Sequence, residues 1–157
     1  MRYAVELVDL QQQPAAVIRG HVDSEDGIGT FLGSAYGEIM GVIEHEGLAS
    51  GGAPFGRYRP TEGGGFDIEA GFPVRGDLVP DGRVEAGGLP GGQVARSLYR
   101  GDYSGVAEAY EATTDWITDN GLVPTGAPWE CYLDDPSVPT PRTEVFIPCQ
   151  KAHPVHA

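Results

Sequence analysis

The chain reads as one stretch written twice, and no other feature constrains its folding as much. At an offset of 74 positions Tyr36 falls on Tyr110, Ile43 on Ile117, Gly47-Leu48 on Gly121-Leu122, and Gly52-Ala53-Pro54 on Gly126-Ala127-Pro128. The closing apolar runs correspond at an offset of 75, where Glu69 falls on Glu144 and Pro73 on Pro148, so one residue has been gained or lost in a loop. A repeat of this length marks one supersecondary unit used twice. With 157 residues there is room for one compact body with a real interior, built as two fused halves. The expected layout is a single domain over 1–157, with a first half over about 1–76, a second over about 83–149, and a tail over 150–157.

Local periodicity fills in each half. Val5 to Leu10 and Ala15 to Val22 read as strands separated by the Gln11-Gln12-Gln13-Pro14 break. A helix is expected from about Asp26 to Glu46, because Ile28, Phe31, Leu32, Ala35, Ile39, Val42 and Ile43 keep helical spacing and Gly47 is placed to end it. Gly29, Gly33, Gly37 and Gly41 fall along one side of that helix at about 1 kcal/mol each against alanine, which predicts a close approach there, by backbone of a sheet or helix or, alternatively, by a ligand. Ala53 to Tyr58 and Phe66 to Val74 read as a strand pair, and 77–92, rich in Gly, Pro and Asp around Val84-Glu85-Ala86, as the junction between halves. The second half repeats the order: a strand from Gln93 to Tyr99, a helix from about Ser104 to Asn120 with Ser104 as N-cap, and strands Trp129 to Leu133 and Thr143 to Cys149. The 24 Gly and 13 Pro favour short, sheet-rich elements. The expected fold class is α+β: a duplicated strand-helix-strand-strand unit, two antiparallel sheets with helices on one face, and a ligand groove at the pseudo-twofold junction.

Charge and motif content exclude several functions. Ten basic against 23 acidic residues leave a formal net charge of −13, which repels phosphate backbones and anionic lipid and favours cationic partners over nucleic acid or membranes. Cys131 and Cys149 supply neither a disulfide framework nor the ligands of a zinc site. No signal-peptide core or membrane-length apolar run occurs, so a cytoplasmic location is expected. There is no phosphate loop, nucleophile elbow or His-Glu-x-x-His, and His153 and His156 stand in the tail, so neither cofactor nor metal is expected.

Chemistry concentrates in the segment Trp129-Glu130-Cys131-Tyr132-Leu133, where a carboxylate interrupts an apolar, aromatic strand. Burying it without a partner is costly. It is read either as a ligand contact in a binding site or as an edge residue, exposed or paired with Arg96 or Arg142. Strand alternation sends Glu130 and Tyr132 to one face and Trp129, Cys131 and Leu133 to the other. Thr143, Val145 and Ile147 match the helix-covered face better than Glu144 and Phe146 do. Glu130, Tyr132, Glu144 and Phe146 are therefore expected to line the groove, with Tyr58 and Glu69 added by the repeat. Carboxylates among aromatic rings suit a lipophilic cation. Tyr36, Tyr110 and Trp116, on helices, read as core residues.

The Tyr99-to-Tyr103 run Tyr-Arg-Gly-Asp-Tyr, the helix end Trp116-Ile117 followed by Asn120-Gly121, the Trp129-to-Pro136 stretch and the closing Thr143-to-Pro148 together resemble the GyrI-like, BmrR-type effector-binding domain family. The resemblance is carried by Gln93 to Cys149 and reaches the first half through the repeat. It implies a groove that binds bulky, often cationic aromatic compounds, with Glu130 meeting the positive charge and Tyr99 and Tyr103 near the ligand. The chain resembles a stand-alone multidrug-binding member of the family, without the DNA-binding segment of the drug-sensing activators; what protein, if any, reads out binding is unspecified. Two alternatives come with the resemblance. One is hydrolysis of strained, cyclopropane-bearing electrophiles, with Glu130 as base and Tyr99, Tyr103 or Tyr132 as hydrogen-bond donor. The other is a DNA gyrase inhibitor-like interaction.

Overall fold

The computed structural model describes residues 4–101, 105–134 and 138–152. In chain order the elements are β1 (Val5–Leu10), β2 (Gln13–Val22), a 3-10 turn (Glu25–Gly27), α1 (Ile28–Glu46), β3 (Ala49–Ser50), β4 (Phe55–Pro60), β5 (Phe66–Arg75), β6 (Glu85–Leu89), β7 (Gly92–Arg100), α2 (Val106–Asp119), β8 (Leu122–Pro124), β9 (Trp129–Tyr132) and β10 (Arg142–Lys151). The strand ladders between these elements are antiparallel, so the protein is α+β, built of antiparallel strands and two helices. Among the described residues no helix is long and apolar enough to cross a membrane.

The chain divides into two compact units. In the unit Gln11–Gly91 the sheet order is β4-β5-β2-β6, with β3 also paired to β5. Ala35, Ile39 and Ile43 recur every fourth residue on α1, and this row packs on Ala16 and Ile18 of β2 and Ala70 and Val74 of β5. Fully burying each isoleucine contributes roughly 1.5–3 kcal/mol. Gly47 ends the helix at φ 68°, a left-handed conformation that favours glycine, while the Leu48 amide donates to the Ile43 carbonyl at 3.0 Å. The glycine row of α1 lies on the side away from the buried row and is exposed. A Cβ at Gly29, Gly33, Gly37 or Gly41 would meet nothing within 4 Å, so the close approach expected there is not made among the described residues.

The other unit combines the described residues up to Leu10 with those from Gly92 onward, in the sheet order β1-β7-β10-β9, with β8 paired to the end of β10. Ala109, Thr113 and Ile117 of α2 pack on Ala95 of β7 and Val145, Ile147 and Cys149 of β10. Thr113 is tolerated in this apolar row because its hydroxyl donates to the Ala109 carbonyl and lies 2.7 Å from the Ser97 hydroxyl. The helix ends where Asn120 Nδ2 donates to the Trp116 carbonyl at 2.8 Å and Gly121 turns at φ 72°. The expected N-cap, Ser104, lies outside the described residues; α2 opens on Gly105.

The leading strands are exchanged relative to chain order. β1, which immediately precedes β2, pairs instead with β7, while β6, which precedes β7, pairs with β2. Within the short Val84-Glu85-Ala86 run of the junction, Glu85 and Ala86 thus begin an integral strand, while Val84 bridges to Asp81.

Candidate functional site

Glu130 is 6% exposed, and the register that places it is set by β10. Val145 stands directly opposite Glu130 and Thr143 opposite Tyr132, so these four side chains share one face of the sheet. Val145 belongs to the α2 core, and Tyr110 on α2 donates its hydroxyl to Glu130 Oε2 at 2.7 Å. Tyr132 donates to Oε1 at 3.1 Å. Each carboxylate oxygen therefore accepts one bond from a neutral phenol. Burial raises the carboxyl pKa above its ordinary value, and donation by Tyr110 and then Tyr132 opposes that rise by favouring the ionised form.

Two further polar side chains lie on this face. Tyr99, 8% exposed, is directly opposite Thr143 on β7. Room for its ring comes from glycines: a Cβ at Gly101 would sit 2.9 Å from the Tyr99 hydroxyl, and one at Gly105 would collide with it. Thr143 is fully buried between Tyr99 and Tyr132, and its Oγ1 has no hydrogen-bond partner among the described residues.

Glu144 and Phe146 do not join this group. They project from the opposite face with Trp129 and Cys131, where Phe146 stacks on Trp129 at a centroid separation of 5.3 Å and an interplanar angle of 12°. The expected grouping of Glu130 and Tyr132 with Glu144 and Phe146 is therefore corrected. Its physical cause is that β9 is covered on both faces: Trp129 is 1% exposed and so is even more buried than its neighbour Glu130. Alternation then ceases to tell which face carries the helix. The arginine pairings considered for Glu130 are also not formed. Arg142 is held by Asp134 through Nε at 2.8 Å and Nη2 at 3.0 Å, which raises the arginine pKa and lowers that of the aspartate, while Arg96 pairs with Glu6.

The first-half residues separate in the same manner. Tyr58 lies opposite Ile68, on the face shared with Ala70 and α1. Glu69 points the other way, ion-paired with Arg19 at 2.9 Å and Arg57 at 3.7 Å, so it does not share a face with Tyr58. At the offset of 74, Gly56 stands where Glu130 does, and Tyr36 donates to the Phe55 carbonyl at 2.7 Å instead of to a carboxylate. Tyr103 lies outside the described residues, as do His153 and His156.

Sequence reasoning missed Tyr110 by treating a helical tyrosine as core. The available signal was its correspondence to Tyr36 at the offset of 74, since a tyrosine at both positions suggests a use for the hydroxyl. Cys131 offers no nucleophile: burial, with the charges of Glu144 and Glu130, pushes its thiol up to about 12. Among the described residues no group of three or more His, Cys, Asp or Glu is placed to hold a metal ion.

The model of the GyrI-like small molecule binding domain matches residues 3–150. Similar solved structures include the EcmrR C-terminal domain, at TM-score 0.84 and 21% identity over 97% of this chain and 100% of that one. Against EcmrR in its DNA complex the TM-score is 0.82 at 20% identity, and the chain spans 58% of EcmrR's length. SAV2435 bound to tetraphenylphosphonium matches at TM-score 0.66 and 20% identity, over 96% of this chain and 94% of that one. A protein from Listeria innocua described as a hydrolase matches at 0.69 and 15%, over 93% and 91%. At these identities the structures establish a shared fold. No curated protein sequence matches the chain.

Proposed function

We propose that this chain, which belongs to the GyrI-like small molecule binding domain family, binds bulky lipophilic cations with Glu130 as the charge partner. The observation that carries the reading is the pairing of Glu130: a carboxylate 6% exposed whose hydrogen bonds come from two neutral phenols. The phenols occupy one acceptor site on each oxygen and bring no positive charge, so a cation gains more beside it than a neutral molecule of the same shape. Tyr110, Tyr132 and Tyr99 provide rings and hydroxyls on the same face, and rings attract cations through their quadrupole. The net charge of −13 draws cations toward the surface. SAV2435, which has this fold, is seen with tetraphenylphosphonium, a cation of the proposed class.

The test is titration of the wild type and Glu130→Gln with tetraphenylphosphonium and with triphenylphosphine oxide, a neutral aryl analogue. Micromolar-class affinity for the cation is expected. Removing the charge should weaken the cation by tens-fold, on the order of 2 kcal/mol, and the neutral compound much less. Equal losses for both would show that residue 130 contributes shape and not charge.

The burial and raised pKa of Glu130 favour a second reading, in which it acts as a general base once Tyr132, whose hydroxyl donates to the carboxylate in this structure, turns that hydroxyl to the substrate. Mass analysis of a strained cyclopropane-bearing electrophile incubated with the protein distinguishes the two readings. Conversion to a hydrated product that stops in Glu130→Gln would replace the binding role with catalysis.

A further inference from the structure

We infer that the sheet face turned away from α2 carries a second, smaller cation site, selective for compact primary ammonium groups. A cavity of about 340 Å³ opens there, lined by Ala4, Glu6, Arg96, Leu98, Leu133 and Glu144. Register explains the assembly. Glu6 stands opposite Arg96, and Glu144 opposite Leu98. Leu133 continues β9 on the same side, its amide donating to the Arg142 carbonyl at 3.0 Å.

The three charged groups are not equivalent. Arg96 is tied to Glu6 through Nη2, whereas its Nε lies 3.9 Å from Glu144, too far for a hydrogen bond. Glu144 is therefore attracted to the guanidinium yet keeps acceptor capacity, and its side chain is only 24% exposed. Two carboxylates and one guanidinium leave this group with a formal charge of −1, beside the apolar surfaces of Leu98 and Leu133. That combination fits a monocation with an apolar body and N–H donors on its charged end, an arylalkyl ammonium being the simplest example. The volume lies at the small end of ligand cavities, which run from about 300 to 1,000 Å³ and favours a compact amine over a four-ring cation. A phosphonium, lacking N–H, cannot donate to Glu144 at all.

This site stands independently of the Glu130 reading, because the two carboxylates point to opposite faces. The test uses the full chain and 2-phenylethylammonium, titrated by calorimetry into the wild type, Glu144→Gln, Glu130→Gln and Glu6→Gln. Glu144→Gln should weaken the amine about tenfold and leave tetraphenylphosphonium unaffected, while Glu130→Gln does the reverse. Glu6→Gln releases Arg96 to close on Glu144, so it should lower amine affinity severalfold, which keeps the proposal testable if Glu144→Gln fails to fold. N-trimethylation of the amine should weaken its binding to the wild type. The inference is overturned if the wild type binds no amine by about 10 mM, if folded Glu144→Gln binds it unchanged, or if Glu130→Gln abolishes its binding.

Discussion

Glu130 is held by hydroxyls in a setting that opposes its ionisation, which makes its protonation state the variable that governs both affinity and stability. Its folded pKa is raised, so the folded protein holds this proton more tightly than the unfolded chain. The sign follows: the stability contribution is fully present below the ordinary glutamate pKa and is lost as pH rises through the raised folded value. Cation binding runs the other way, because it needs the ionised form. Affinity for tetraphenylphosphonium should therefore fall on acidification from a higher pH than an exposed glutamate would give, and in Glu130→Gln it should be flat. Thermal melts should show Glu130→Gln gaining about 2–4 °C on the wild type as pH rises across the same window, equivalent to roughly 1 kcal/mol for a chain of this size. Parallel Tm curves for the two proteins from pH 4 to pH 8 would contradict desolvation of the carboxylate.

The elements differ in how far their glycines are needed. On α1, Gly33 and Gly37 face open space, with no atom within 4 Å of the position a Cβ would take, and both residues lie within regular helix. Alanine there should stabilise by about 1 kcal/mol per site through helix propensity and the reduced freedom of the unfolded chain. Gly105 at the start of α2 is the contrary case, because a Cβ there collides with the Tyr99 hydroxyl. Gly105→Ala should destabilise by about 1–3 kcal/mol, the usual range for overpacking, and displace Tyr99 from the site face. Urea unfolding of the three variants checks both signs. A loss at Gly33 or Gly37 would mean that something packs against the bare side of α1 in solution.

For the molecule as a whole the dominant property is charge. A formal −13 spread over 157 residues acts at distances beyond any one contact, and salt screens it with a Debye length of about 10 Å at 0.1 M. The association rate of tetraphenylphosphonium should thus drop about tenfold between 20 mM and 500 mM sodium chloride, while that of triphenylphosphine oxide stays nearly constant. Stopped-flow fluorescence measures both, and an equal salt response would remove steering from the explanation. Strand exchange is the other whole-chain property. Because β1 pairs with β7 and β6 with β2, the folded units do not coincide with the sequence halves 1–76 and 83–149.

Both helices, the strand around Glu130 and the family resemblance were legible in the sequence because each rests on local information. Ala35, Ile39 and Ile43 set the face of α1, Gly47 and Gly121 stop the helices, and a glutamate inside an apolar strand announces itself. The partner strand of β1 was not legible, because pairing is chosen by the packing of segments more than 80 positions apart, here Val5 with Ser97. Nor was the direction in which Glu130 points. That depends on whether Glu130 meets Val145 or Glu144 across the ladder, a one-residue difference that moves the side chain to the other face. Periodicity decides such a register when one face is wet and the other dry, but Trp129 and Glu130 are both buried. Only the tertiary structure, by stacking Trp129 on Phe146 and bringing the Tyr110 hydroxyl to the carboxylate, chose the face on which the charge lies.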